Sequence, residues 1–515
     1  MSMSKRSLTV AIMATGLFWA AALSAQESSP STDSYYADDY LPPVQVAAKE
    51  TNVAQANAAA ANQAAGEMAT NESAQAAGYA SCLTGCNDCG GCDAAAGSCD
   101  GGCGSGCGGG CGAGRSCGCG RGGGVVNRLR NGHVAGLIGR LHGRDTGCCG
   151  PHCCDFGDPW TLFDEHCSGF NMGGWISYGS TINSHGNTTG RGNDPLGFNN
   201  VADGVVLNQF WLWAGKEADT GGCGSDFGYR VDYIFGTDGP DTQAFGDEDW
   251  DFGWNSSRDY GSAIPQLYLE YGYNDLLVKA GHFYTIIGWE VVQAPDNFFY
   301  SHSYTMYYGE PFTHTGVLAS YARNDRLTLH GGWTAGWDSG FENRLDASTF
   351  LGGFSYAVDD TMSLAYALNV GDWGNGRDGL NDGDIYMHSI VMEKAVRDDF
   401  TYIIQSDYGR NTNIDGPNTE WYGINQYLIK DLSCCLQFGV RAEWFYDKDG
   451  VRVGNGPSDY YGLTMGLNYR GSANTVWRPE VRFDWQHRRD GARRAFSDNE
   501  RIQMITLGVN RYFTF

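Results

Sequence analysis

The stretch from Leu436 to Tyr446 reads LQFGVRAEWFY, and its polarity changes from one residue to the next. Such a period of two is typical of a β-strand with one apolar face. About ten residues is also the length of a strand that crosses a membrane at a tilt. The apolar face would carry Leu436, Phe438, Val440, Ala442, Trp444 and Tyr446, and the polar face Gln437, Gly439, Arg441 and Glu443.

The same pattern recurs on both sides of this stretch. Phe227 to Phe235 and Tyr461 to Tyr469 alternate in the same way. Each apolar set often ends in aromatic residues, as the two interfacial girdles of a membrane barrel require. A soluble β-sandwich also alternates, so periodicity alone does not separate the two folds.

The links between strands favour a barrel, because short turns alternate with links of roughly twelve to thirty residues, the plan of bacterial outer-membrane barrels. We expect an all-β, transmembrane, antiparallel up-and-down β-barrel of about 16 strands. The predicted strands are 170–182, 205–215, 226–235, 264–273, 276–283, 314–322, 327–337, 350–358, 362–370, 385–394, 400–408, 421–429, 436–446, 460–469, 475–486 and 502–515.

Composition excludes some partners. The 515 residues include 34 basic and 59 acidic side chains, a net charge of −25. Nucleic acid is therefore not expected as a partner, because phosphate binding needs clustered Lys and Arg. Beyond residue 25 no stretch approaches the roughly 20 apolar residues of a spanning helix, so membrane insertion would require a closed barrel.

Four regions are predicted along the chain. Residues 1–25 have a basic start, an apolar stretch and small residues before a cleavage point, as in a secretory signal peptide; an uncleaved anchor is the alternative. Residues 26–80 form a flexible linker rich in Ala, Ser, Asn and Gln. Residues 81–168 form a low-complexity Cys/Gly-rich region, expected in the periplasm, and 169–515 form the barrel.

The C-terminal strand supports a membrane barrel. Ile505, Leu507 and Val509 alternate toward an aromatic end at Phe513 and Phe515. Such an end resembles the recognition signal of the barrel assembly machinery, which is therefore an expected partner along with outer-membrane lipid. Two residues depart from the pattern, because Arg511 falls on the lipid side and Pro479 removes a ladder hydrogen bond within the fifteenth strand.

Charged residues on the polar faces are candidates for lining the lumen. Opposed charges across a pore would set up a transverse field, although paired charges inside a plugged barrel would give the same pattern. The candidates are Arg230, Asp232, Glu270, Lys279, Arg441, Glu443, Arg478, Glu480, Arg482 and Asp484. The link from Tyr284 to Thr313 is the expected constriction loop, with candidates Glu290, Asp296, Glu310 and the adjacent His314.

The cysteines have two interpretations. Soft-metal binding would suit their spacing, but disulfides are favoured in an oxidising periplasm. The candidates are Cys82, Cys86, Cys89, Cys92, Cys148, Cys149, Cys153, Cys154, Cys167, Cys223, Cys434 and Cys435. Disulfides to the last three would dock the Cys-rich region across the periplasmic mouth of the barrel.

Catalytic motifs and cofactor-binding motifs were not found, so no catalytic residue and no cofactor are expected. His302, Glu310 and His314 lie close enough in sequence for a hydrolytic site to be imagined. The favoured interpretation is that they make hydrogen bonds within the loop or the pore.

The central sequence resembles a known family. The residues that carry the resemblance are Gly281-His282-Phe283, Gly288, Glu290, Asn297, Tyr300-Ser301 and Pro311 to Gly316. They resemble the central region of the OmpL-like putative β-barrel porins, in a layout that covers 169–515. The resemblance implies a bacterial outer-membrane porin-like barrel and brings no catalytic residues.

Three classes of function remain. The favoured one is passive diffusion of small hydrophilic solutes or ions, with cation preference because acidic residues outnumber basic ones in the long loops. The second is a structural barrel that anchors the Cys-rich region, and the third an outer-membrane enzyme. Both termini are expected in the periplasm, and assembly as a homo-trimer stays open.

Overall fold

The structure is a computed structural model that describes residues 156, 158–163, 169–186, 192–245, 250–341, 346–374, 383–413, 417–496 and 499–515. The predicted signal peptide, the linker and most of the Cys/Gly-rich region lie outside the described residues. No helix among the described residues is long and apolar enough to cross a membrane.

Sixteen strands build the described part of the chain, and each overlaps one predicted strand. They are β1 Phe170–Asn183, β2 Gly204–Lys216, β3 Ser225–Gly236, β4 Gly261–Tyr273, β5 Leu276–Tyr284, β6 Thr313–Ala322, β7 Leu327–Thr334, β8 Ser348–Asp359, β9 Met362–Asp372, β10 Gly383–Arg397, β11 Phe400–Asn413, β12 Thr419–Ser433, β13 Leu436–Asp447, β14 Ser458–Ser472, β15 Thr475–Arg488 and β16 Gln503–Thr514. A one-turn helix, α1, spans Gly239–Thr242, a 3₁₀ turn spans Ala294–Asp296 and a π-helical turn spans Thr305–Gly309.

The strands form one closed barrel in which each strand pairs with its sequence neighbours. All pairings are antiparallel, and β1 closes the ring on β16, with Trp175 opposite Thr514 and Asn183 opposite Thr506. Closure leaves no unpaired sheet edge, which is the condition for a sheet to lie in lipid. The predicted fold class is therefore confirmed.

The predicted alternation is also confirmed. On β3, Phe227, Tyr229 and Val231 are exposed, whereas Asp232 and Ile234 are fully buried. The same division on the other strands gives the barrel an apolar outer surface. That surface suits contact with lipid, because water would not favour so much exposed apolar area on one face.

Aromatic side chains form a band on the outer surface near the long-loop end. The rings of Tyr386, Tyr408, Tyr422 and Tyr446 follow one another across four strands, with centroids 6.1, 4.9 and 6.0 Å apart. Such a band marks an interfacial girdle.

The two predicted misfits are accommodated within the strands. Pro479 pairs opposite Val509 inside β15. Arg511 lies over the Trp477 ring at 5.0 Å and donates a 3.0 Å hydrogen bond to the Tyr178 hydroxyl. An aromatic face and a hydroxyl thus partly satisfy a charge that points toward lipid.

Candidate functional site

The segment 285–312, between β5 and β6, folds into the lumen and is called the inner segment below. Its large side chains pack against the barrel wall, and Trp289, Phe299 and Tyr304 are 3, 3 and 2% exposed. The inner segment therefore fills much of the barrel's centre. This agrees with its predicted inward fold, and its use as a constriction remains a prediction.

Arg478 and Glu480, on the lumen face of β15, bind the backbone of the inner segment. Arg478 Nη1 donates to the carbonyl oxygens of Ala294, Asn297 and Phe299 at 2.8, 2.9 and 3.1 Å. One Glu480 oxygen accepts the Tyr300 N–H at 2.9 Å. Along residues 294–300, the Arg478 cation thus binds carbonyl oxygens and the Glu480 carboxylate binds an amide N–H.

Arg441 and Glu443 continue this pattern on β13. Arg441 Nη1 donates to the Ser301 carbonyl at 2.6 Å and to Glu290 Oε1 at 2.7 Å. Glu443 accepts the Tyr304 N–H at 2.7 Å. Arg441 and Glu443 are fully buried, so these contacts are made away from water.

Arg482 and Asp484 on β15 join Glu290, Arg441 and Glu443 in one cluster of ion pairs, called the charged cluster below. Arg482 lies 3.1 Å from Glu443 and 2.8 Å from Asp484, and it also donates to the His302 carbonyl. Removing one partner from such a cluster leaves a desolvated charge, which is far more costly than losing a surface ion pair. The cluster therefore specifies one position of the inner segment.

Uncharged side chains hold the other flank of the inner segment. Gln209 on β2 donates to the Val292 carbonyl at 2.7 Å and accepts the Ala294 N–H at 3.0 Å. Trp421 on β12 donates to the Gly309 carbonyl at 3.1 Å. These bonds satisfy backbone groups that would otherwise be buried without partners.

Glycines on the lumen face make room for inner-segment side chains. A methyl group at Gly439 would overlap the Phe298 ring, and one at Gly423 would overlap Thr305. The small residues of the lumen face thus accommodate protein at these positions. The sequence alternation predicted only that such residues would face a lumen.

Burial and charge act oppositely on Glu290. Burial favours the neutral acid, but the Arg441 guanidinium and the Ser303 N–H outweigh it and hold the pKa of Glu290 below its usual range. Burial lowers the pKa of His302 to about 4, so this imidazole is neutral at neutral pH. Its Nε2 lies 3.0 Å from the Val291 carbonyl oxygen.

The residues once considered for hydrolysis bind different partners. His314 contacts the Gly336 carbonyl and the Thr285 hydroxyl, each at 3.0 Å. Gln405 on β11 donates to Glu310 and also to Asp407, at 3.1 Å. Burial, followed by the Asp407 carboxyl, raises the pKa of Glu310 well above its usual range. These contacts position the inner segment and do not assemble a nucleophile with a base.

The remaining lumen candidates lie on β3, β4 and β5. Arg230 pairs with Asp232, and Lys279 Nζ lies 3.8 Å from Glu270. The side chains of Arg230 and Lys279 keep 24 and 22% exposure, unlike the buried bases of β13 and β15. Asp296 of the inner segment is exposed. Their role in solute passage remains a prediction.

A neutral stretch of wall lies across β7, β8 and β9. The lumen-facing residues Ser355, Ser363 and Ala365 are small and half-buried. His330 on β7 lies 2.9 Å from the Ser320 hydroxyl and 3.4 Å from the Ser355 hydroxyl. Among the described residues of these three strands, the contacts with the inner segment are uncharged, as where Ala365 packs against the cluster of Trp289, Phe298 and Phe299.

An apolar cluster lies within the barrel toward the long-loop end. It includes Trp337, Trp373, Trp421 and Phe496, from loops as well as strands. Arg452 lies 5.3 and 4.8 Å from the Trp337 and Trp421 ring centroids, and it donates to the Tyr308 carbonyl. Aromatic packing and cation–π contacts thus join the long loops to the inner segment.

Three cysteine candidates lie among the described residues. Cys223 follows β2 and Cys434–Cys435 follow β12, so all three lie at the same end of the barrel. Among the described residues, no cluster of His, Cys, Asp and Glu could hold a metal ion. The other cysteine candidates lie outside the described residues, and their pairing remains a prediction.

Sequence reasoning missed the neutral contacts of the site. Gln209, Gln405 and Asp407 were not candidates, because a polar residue on a lumen face gives no sign of whether it meets water or protein. Lumen-face glycines such as Gly439, which lies opposite the Phe298 ring, were visible in the sequence as small residues. Their presence indicated space inside the barrel but did not indicate that a protein side chain fills it.

A closed 16-strand barrel with a long segment folded inward between β5 and β6 defines a porin-like β-barrel. Residues 169–515 match the family described as "Putative beta-barrel porin-2, OmpL-like", and the chain belongs to this family. A search of curated protein sequences found no match.

Solved structures of similar fold are bacterial porins and channels. The anion-selective porin from Comamonas acidovorans has 9% identity and a TM-score of 0.48, over 67% of this chain and 99% of that one. The outer-membrane channel DcaP of Acinetobacter baumannii has 11% identity and a TM-score of 0.47, over 70 and 100%. OmpT of Vibrio cholerae, in a trimer form, has 10% identity and a TM-score of 0.43, over 67 and 99%.

Proposed function

We propose that the chain is a bacterial outer-membrane channel through which small hydrophilic solutes and ions diffuse passively. The observation that carries the proposal is the inner segment, held inside a 16-strand barrel of a porin family. In this proposal the inner segment narrows the lumen and limits the size of the solute. No bound cofactor and no catalytic residue take part.

Cation preference is the second part of the proposal. The long loops are acidic, and the inner segment carries Glu290, Asp296 and Glu310 but no Lys or Arg. Of these three, Asp296 is exposed, whereas Glu290 is paired with Arg441 and Glu310 is buried, so the proposed field comes mainly from Asp296 and the long loops. A path approached through an acidic field concentrates cations, most strongly at low salt where screening is weak. The buried bases Arg441, Arg478 and Arg482 are already engaged by carboxylates and carbonyls.

A structural barrel is the alternative, and the packed lumen favours it. The inner segment occupies the centre of the barrel, and the apolar cluster around Trp337 and Trp421 occupies the lumen between the centre and the long-loop end. A barrel filled in this way could anchor an attached N-terminal region without conducting.

Planar-bilayer recording separates the two functions. The proposed channel requires discrete conductance steps from the purified protein, with a reversal potential of cationic sign in a KCl gradient. A variant with residues 286–309 replaced by a short Gly-Ser linker is the control for insertion, and we expect it to conduct several-fold more. A silent wild type beside a conducting variant would favour the structural barrel. Anionic reversal at low salt would exclude cation preference.

Both termini are proposed to face the periplasm, with the long loops outside. The support is the alternation of short turns and long links along one up-and-down barrel. An epitope tag inserted between Trp373 and Gly383 should be labelled on intact cells, whereas a tag at Asp360 should need permeabilised cells. Labelling of the Asp360 tag on intact cells would reverse the orientation. Assembly as a homo-trimer is a further proposal, which cross-linking of the purified protein tests.

A further inference from the structure

Residues 158–163, which precede β1, are called the rim segment here, and they lie on the outside of the barrel. The Trp160 ring stacks on the Phe513 ring, with centroids 6.0 Å apart and an angle of 29° between the planes. Phe513 shares the outward face of β16 with Leu507 and Val509, which are each 49% exposed. Trp160 therefore lies against the same outer surface.

A pair of hydrogen bonds fixes this position. The Trp160 N–H donates to Asn474 Oδ1 at 2.8 Å, and Asn474 Nδ2 donates to the Trp160 carbonyl at 2.7 Å. Asn474 lies in the short turn between β14 and β15, and its Nδ2 also donates to the Thr514 carbonyl at 2.8 Å. The amide side chain thus joins the rim segment, the turn and the last strand.

The rim segment presents an apolar surface that the barrel does not cover. Trp160, Leu162 and Phe163 are 54, 49 and 40% exposed. Nearby outward residues at the same end include Tyr469 and Trp477, at 49 and 39%. Large aromatic side chains at a barrel end are typical of the headgroup level of a membrane, where a ring meets both apolar chains and water.

We propose that the rim segment is an interfacial anchor whose Trp160, Leu162 and Phe163 side chains insert among lipid headgroups at the short-turn end of the barrel. The occupant is lipid because Trp160 stacks on Phe513, which lies on the outward, apolar face of β16. The anchor also places Trp160 on the outer rim of the barrel beside the β14–β15 turn.

Photo-cross-linking tests this anchor in the full-length protein. A benzophenone-bearing phenylalanine analogue replaces Leu162 or Phe163, and the protein is reconstituted into vesicles of radiolabelled phosphatidylethanolamine and phosphatidylglycerol. Leu507 is the lipid-facing control, and Phe252, exposed in the long link between β3 and β4, is the control away from lipid. We expect the yield of lipid adducts at Leu162 and Phe163 to be within about threefold of the yield at Leu507 and roughly tenfold above the yield at Phe252. Adducts at the Phe252 level, or adducts only with protein, would overturn the proposal.

A second measurement tests the attachment to the barrel. Asn474→Ala removes both hydrogen bonds to Trp160, so chymotrypsin cleavage after Trp160, Leu162 or Phe163 in vesicles should quicken by about tenfold. Heat-modifiable gel mobility would report that the barrel is still folded. An unchanged cleavage rate in a folded N474A barrel would show that Asn474 does not hold the anchor.

Discussion

Two parts of the lumen wall differ although both obey the same alternation. Strands β13 and β15 present Arg441, Glu443, Arg478 and Arg482, all buried and all bonded to the inner segment or to one another. Strands β7 to β9 present small neutral side chains such as Ser355 that remain half-buried. One barrel therefore contains a wall that binds the inner segment through buried charges and a wall that contacts it through uncharged side chains such as Ala365 and Leu351.

The difference teaches what a charged lumen face can mean. In a wet pore, opposed charges act on solutes through a transverse field. On β13 and β15 the same residue types recognise backbone groups, with guanidinium donating to carbonyls and carboxylate accepting from amides. Charge on an inward face therefore indicates a polar interior, and the neighbouring chain decides whether water or protein fills it.

The largest expected effect comes from replacing Arg441, the buried arginine on β13. Arg441→Met leaves Glu290 buried without its cation, so we expect a loss of about 3–5 kcal/mol in the free energy that holds the inner segment in place. The measurement is the heat stability of the folded gel band, together with protease cleavage of the inner segment in vesicles. Arg441→Met combined with Glu290→Gln should recover part of the loss.

The opposite wall supplies the control for this prediction. Ser355→Ala changes a half-buried hydroxyl on β8, five strands from β13 in the barrel order, and we expect an effect within about 0.5 kcal/mol. Equal effects of Arg441→Met and Ser355→Ala would remove the distinction between the two walls.

The sequence predicted the fold well because two of its physical causes are local. Alternation along β13 and β14 fixes which side chains face lipid, and short turns such as Asn274–Asp275 fix the antiparallel neighbours. The site could be predicted only in part. Arg441, Glu443 and the inner segment were candidates, but the hydrogen bonds of the site join residues up to 184 positions apart, as in Arg478 and Ala294. A one-dimensional pattern does not contain such pairings.

A lumen glycine gives an intermediate effect. Gly439→Ala places a methyl group against the Phe298 ring, and the ring must move within a buried cluster. We expect a loss of about 1–3 kcal/mol from overpacking, measured as heat stability and as faster cleavage of the inner segment. Gly331→Ala, on the outward face of β7, is the control for an added methyl group that meets no overlap, because the nearest atoms to it lie 3.7 Å away in the exposed Phe350 ring. If both variants lost the same heat stability, the close contact between Gly439 and the Phe298 ring would not be what holds Phe298 in place.

The smallest effect expected within the inner segment depends on pH and concerns Glu310. An unfolded glutamate titrates near 4.5, whereas burial and Asp407 raise the pKa of Glu310 in the folded barrel. The folded state therefore keeps a proton that the unfolded state releases, and its stability falls as the pH rises from about 4.5 toward the raised pKa. Glu310→Gln retains a side-chain oxygen to accept from Gln405 but cannot ionise. We expect wild type and variant to match near pH 4, and the variant to resist heat better at pH 8 by roughly 1 kcal/mol. A variant that is less stable than wild type at pH 8 but equal at pH 4 would mean that Glu310 is needed as an anion, and the inner segment would then be held at this point by charge, as it is on β13 and β15.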